Sequence, residues 1–94
     1  MNAHPPQPEQ IVSEVKAGPG GAMTDEVGVI TGDLTIATRL LADGRAHLAV
    51  QYTDADEWYT LTGSPLPAPP QSLAALHEQT LERVRHGGGA EAPS

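Results

Sequence analysis

Asp54-Ala55-Asp56-Glu57 comes nearest to chemistry in this 94-residue chain, because two aspartates one residue apart open many calcium loops. Such a loop counted from Asp54 needs glycine at its sixth position and glutamate at its twelfth, where Tyr59 and Pro65 stand. The stretch therefore reads as a solvated acidic turn, a setting that favours aspartate. His77-Glu78 begins like a zinc-protease helix, but Leu81 fills the second ligand position. No pair of histidines has ligand spacing, so no metal site is expected. His77 fits a half-buried core histidine, and His86 complements a negative helix C-terminus. Ser13, Ser64, Ser72 and Ser94 lie in tails, connector or helix start, outside any nucleophile-elbow pattern. Gly18-Pro19-Gly20-Gly21 lacks the lysine of a phosphate loop. The residues thus point away from an enzyme, and no cofactor is implied.

Composition narrows the classes further. The formal charge is −7, and between Met23 and His86 nine acidic residues face four arginines. This balance repels phosphate backbones and disfavours direct nucleic-acid binding. Arg83, Arg85 and His86 form the one basic cluster, too small to carry much affinity. No apolar run reaches the ~18 residues of a membrane span, and no signal-peptide core opens the chain. The absence of cysteine fits a reducing compartment. A cytoplasmic protein is the expectation, and the Arg, Ala, Gly and Pro usage suggests a GC-rich bacterial genome.

The elements that must position these residues follow from period and punctuation. Residues 1–22 hold four prolines and three glycines and are expected to form a disordered tail, with translation beginning at Met23 as one reading. Within that tail, Ile11, Val12 and Val15 have the spacing of a short, marginal helix. Residues 23–86 are expected to form one small α+β domain: a three- to four-stranded antiparallel β-meander with a C-terminal helix packed on one face. Residues 87–94, GGGAEAPS, are expected to form a second disordered tail.

Val27–Thr31 reads as a separate edge strand or as the start of a longer strand bulged at Gly32. From Leu34 the apolar residues alternate. A three-residue loop at Ala42-Asp43-Gly44 sets Leu40 opposite Ala46, Thr38 opposite Leu48, Ile36 opposite Val50 and Leu34 opposite Tyr52. A turn at Asp54–Glu57 then sets Tyr52 opposite Tyr59 and Val50 opposite Leu61. Ser64–Pro70 cannot join a central strand, because its prolines lack donors. A helix from about Pro70 to His86 presents Leu73, Leu76, His77, Thr80, Leu81 and Val84 as one stripe, and Gly87 stops it.

This register puts the only tryptophan, Trp58, on the face away from the helix. Ala49, Gln51, Thr53, Thr60 and Thr62 share that face with it. An aromatic side chain on a polar surface either binds a partner or completes a small core. The expected function is that of a small acidic interaction or regulatory module. Trp58, Gln51, Thr53 and Thr60, with the turn residues Asp54, Asp56 and Glu57, would bind a protein partner bearing a basic surface. Homodimerisation through the open face is a second arrangement.

The segment Glu57–Gly63, EWYTLTG, ahead of a helix resembles in topology the small DNA-binding domains at the N-termini of phage integrases. That resemblance implies a DNA-related role. Those domains carry basic residues on the sheet, whereas Arg39 and His47 stand nearly alone here, so a DNA mimic suits the charge better. A small-ligand or glycan site with Trp58 as stacking platform is the remaining alternative.

Overall fold

A computed structural model describes residues 10–68 and 72–93. Among these residues seven strands and one helix follow in the order β1 (Gln10–Lys16), β2 (Ala22–Thr24), β3 (Gly28–Ile30), β4 (Asp33–Leu40), β5 (Arg45–Tyr52), β6 (Tyr59–Thr60), β7 (Leu66–Pro67) and α1 (Leu73–His86). The fold is α+β, an antiparallel sheet with a single C-terminal helix packed against it.

β4 and β5 form the centre. Their register sets Leu34 against Tyr52, Ile36 against Val50, Thr38 against Leu48 and Leu40 against Ala46, as the alternation requires. Gly44 takes φ +87° in the connecting loop, and the Asp43 carboxylate accepts from the Arg45 N–H at 3.0 Å. β4 is buried on both faces from Leu34 to Thr38. A strand with neighbours on both sides and a helix above it has little left to solvate.

Two expectations are corrected at the ends of the chain. Residues 10–16 are a full strand, not part of a tail: β1 pairs antiparallel with β4 from Gln10↔Arg39 to Lys16↔Asp33. Its pattern has period two, with Ile11, Ser13 and Val15 toward the helix and Val12, Glu14 and Lys16 away. The short helix suggested by Ile11, Val12 and Val15 yields because a seven-residue strand gains a complete ladder, whereas an isolated eight-residue helix is unstable. At the other end, Ala90 bridges Ala22 in parallel, and the Ala92 N–H donates to the Thr62 carbonyl at 2.8 Å. Residues 87–93 thus fold back on the domain, with Ala90 and Ala92 buried. The first nine residues of the expected N-terminal tail, and Ser94, lie outside the described residues.

The second hairpin is also corrected. Val50 stands opposite Tyr59 and Ala49 opposite Thr60, so β6 is displaced by two residues from the expected pairing and the loop between β5 and β6 is longer. An even displacement keeps every side chain on its expected face. Asp54, at φ +72°, helps to turn that longer loop, and the Ala55 N–H donates to the Tyr52 carbonyl.

β2 and β3 form a separate hairpin, so Val27–Thr31 contributes an independent strand and Gly32, at φ +93°, divides it from β4. A Thr24–Leu61 bridge joins this hairpin to the β6 side of the main sheet. Leu66–Pro67 pairs only with the end of β5, a position that a proline tolerates.

The helix runs Leu73–His86, with the Ser72 hydroxyl accepting from the Ala75 N–H as N-cap. Pro70, its expected start, lies outside the described residues. Leu76, His77, Thr80, Leu81 and Val84 are buried, and Gly87 ends the helix at φ +84°. The core joins this stripe to Val15, Ile30, Leu34, Ile36, Leu48, Val50 and Leu61.

Candidate functional site

The sheet face away from α1 is built in rows across the strands. Gln10, Arg39 and His47 form one row, and Val12, Ala37, Ala49 and Thr60 the next. Glu14, Thr35 and Gln51 form a third. These positions share a face because each pair is in register and side chains alternate along a strand.

Trp58 precedes β6 and stands beside the first two rows. Together with Gln10, Ala37, Arg39, His47 and Ala49 it lines a shallow cleft of about 270 Å³. Ala37, on the solvent side of the sheet, is only 7% exposed, while Trp58 itself remains 44% exposed. Val12, on the adjoining position of β1, is also exposed. The indole thus borders the small residues of the cleft and presents a face to solvent.

The other expected site residues are placed as follows. Asp54, Asp56 and Glu57 are exposed in the loop beside Trp58, and Glu57 accepts from the Tyr59 hydroxyl at 3.0 Å, which raises the Tyr59 pKa. Gln51 is half-buried and donates through Nε2 to the Ala55 carbonyl at 3.0 Å, bracing that loop. The Thr53 hydroxyl lies 3.0 Å from that of Thr35. Thr60 is held by Glu26, whose carboxylate accepts from the Thr60 N–H at 2.7 Å and hydroxyl at 2.8 Å. Those bonds lower the Glu26 pKa. Trp58 and the acidic loop are therefore the accessible members of the set, whereas Thr53 and Thr60 spend their polar groups internally.

Sequence reasoning missed the grip of Glu26 on β6. Asp25 joins it, accepting from the Thr62 hydroxyl at 2.8 Å while its N–H donates to the Thr60 carbonyl. The β2–β3 turn thereby covers the outer edge of β6, a device that blocks unwanted strand pairing. The only available signal was the acidic pair in an otherwise apolar segment.

A second polar constellation lies under the helix. His77 is 2% exposed, deeper than the half-buried histidine expected. Its Nδ1 lies 2.7 Å from the Thr38 hydroxyl and its Nε2 lies 2.8 Å from the Ser13 hydroxyl. A serine on a histidine nitrogen has the composition of a nucleophilic pair. Here the imidazole is enclosed between α1 and the strands, and neither described cleft reaches Ser13 or His77. The trio joins α1 to β1 and β4. Desolvation lowers the His77 pKa, against a smaller upward pull from the Glu78 carboxylate.

A larger groove, about 1310 Å³, runs between α1 and residues 87–93 and is bordered by Leu66 and Pro67. Glu78, Glu82, Arg83 and His86 give its wall charges of both signs. Among the described residues no three His, Cys, Asp or Glu side chains gather as a metal-holding group. No described helix is long and apolar enough to cross a membrane. Comparison with protein-family models, with curated proteins and with solved structures gives no match.

Proposed function

We propose that this protein is a small, acidic, non-enzymatic interaction module that binds a protein partner through the face around Trp58 and the adjoining loop Asp54–Glu57. One observation carries the reading: Trp58, 44% exposed on a strand-built face, adjoins three exposed carboxylates. Aromatic residues dominate binding energy where they enter a partner's pocket, and a rim of one charge sign steers encounter. The partner therefore presents an apolar pocket bordered by Lys or Arg. Gln51 and Thr53 act by holding the loop, and Thr60 by anchoring the strand beneath it.

Affinity capture from native-host lysate tests the reading, using the full chain beside Trp58→Ala and the triple variant Asp54→Asn, Asp56→Asn, Glu57→Gln. The expected result is a protein retained by the native chain, lost with Trp58→Ala and weakened by the triple variant. Equal retention by all three chains would overturn it. Retention of a DNA-binding protein, released by nucleic acid, would instead favour the DNA-mimic reading.

A further inference from the structure

The cleft beneath Trp58 has a chemistry that the acidic loop does not use. Arg39 and His47 are direct cross-strand partners on the open face, and Gln10 completes their row from β1. Two basic side chains placed opposite each other gain nothing from one another. Among the described residues, no carboxylate forms an ion pair with Arg39, although the chain carries a charge of −7. Of the described acids, Asp43 pairs with Arg45 at 2.7 Å, and Glu26 holds Thr60 while its charge interacts with His47 rather than with Arg39. Arg39 therefore presents to the cleft a guanidinium with no hydrogen bond or ion pair to another described side chain. Its floor is the Ala37–Ala49 pair, small enough to leave a depression, and its wall is the indole of Trp58.

We propose that this cleft binds a small aromatic anion, with the ring against Trp58 above the two alanines and the carboxylate or phosphate on Arg39, assisted by His47 and the Gln10 amide. Guanidinium suits both anions because its planar fork offers paired donors. A cleft of about 270 Å³, open on its solvent side, suits a compact aromatic group carrying one anionic group. This inference stands apart from the protein-partner reading. The two share Trp58, but the cleft needs Arg39 and the partner surface needs the acidic loop.

The single tryptophan makes its own emission the readout. The full chain is titrated with adenosine monophosphate and with benzoate, and with adenosine and inorganic phosphate as single-component controls. The expected result is a saturable change in Trp58 emission with at least one of the two aromatic anions, and binding about tenfold weaker for each control. A response to the phosphate or the carboxylate alone assigns the anion class. Arg39→Ala should weaken binding about tenfold or more, Arg39→Lys should restore part of it, and raised salt should weaken it. Far-UV circular dichroism of Arg39→Ala should match that of the native chain, since this side chain is exposed. No saturable response at millimolar anion, an undiminished response in Arg39→Ala, or equal binding of adenosine would overturn the proposal. Loss of anion binding in Arg39→Ala with normal partner capture, and loss of partner capture in the triple loop variant with normal anion binding, separate the two sites.

Discussion

His77 is held by hydroxyls from two strands, Ser13 on β1 and Thr38 on β4, and so carries three elements on one ring. In the neutral ring one nitrogen donates to a hydroxyl and the other accepts from one, so both partners are satisfied only by a polar residue here. His77→Leu keeps the apolar contact and strands the Thr38 hydroxyl, which is fully buried. Urea unfolding should show a loss of about 2–4 kcal/mol.

The same ring makes stability depend on pH. Burial holds its folded pKa below the ordinary 6.5, so in the window beneath 6.5 the unfolded chain binds a proton that the folded chain refuses. The His77 contribution is complete above 6.5 and is lost as pH falls toward the folded value. Urea midpoints taken across this window should decline in the native chain and decline less in His77→Gln. The presence of a histidine on the helical stripe was legible in the sequence. Its partners were not, because Ser13 lies in a segment whose prolines and glycines mask a seven-residue strand.

β1 shows how an element gains its stability from context. Its alternation is short and its flanks are polar, so nothing local distinguishes it from a tail; its ladder with β4 and its contact with α1 do. A chain lacking residues 1–22 would lose the strand, uncover the β4 edge and leave His77 without Ser13. Such a chain should unfold without a cooperative transition, and its amide spectrum should collapse to narrow dispersion. Dispersed signals with a sigmoidal melt would refute this account of β1.

The crossing between β1 and β2 is equally exacting. A Cβ at Gly18 would overlap the carbonyl oxygen of Arg85, and one at Gly87 would overlap that of Pro19. Gly18→Ala and Gly87→Ala should each cost more than about 2 kcal/mol in thermal or urea melts. Gly28→Ala meets open space and only the strain of φ +75°, so about 1 kcal/mol is expected there.

Across the whole molecule, charge and apolar surface are sorted by location. Carboxylates of the β2–β3 turn are spent holding β6, whereas those of Asp54, Asp56 and Glu57 face solvent beside the indole. Association with the proposed partner should therefore slow as salt rises, and the triple loop variant should flatten that dependence while changing dissociation little; stopped-flow mixing with a protein retained in the capture experiment reads both. Trp58→Ala should act in the opposite way, accelerating dissociation and leaving the salt slope intact.

The sequence by itself determined the β4–β5 register, the buried stripe of α1 and its stop at Gly87, and the exposure of the acidic loop. Each is a local consequence of period, turn chemistry or a positive-φ glycine. Tertiary structure decided the rest: that residues 10–16 add a strand, that residues 87–93 return to β2, and that β6 slides by two. It also decided that Gln10 and Trp58 join Arg39 and His47 around two alanines. These depend on pairings between segments far apart in the chain, where the free energy lies in burying a shared surface rather than in the preference of any one segment. A pattern read along the chain records which face a residue wants, and only the assembled sheet says what stands beside it.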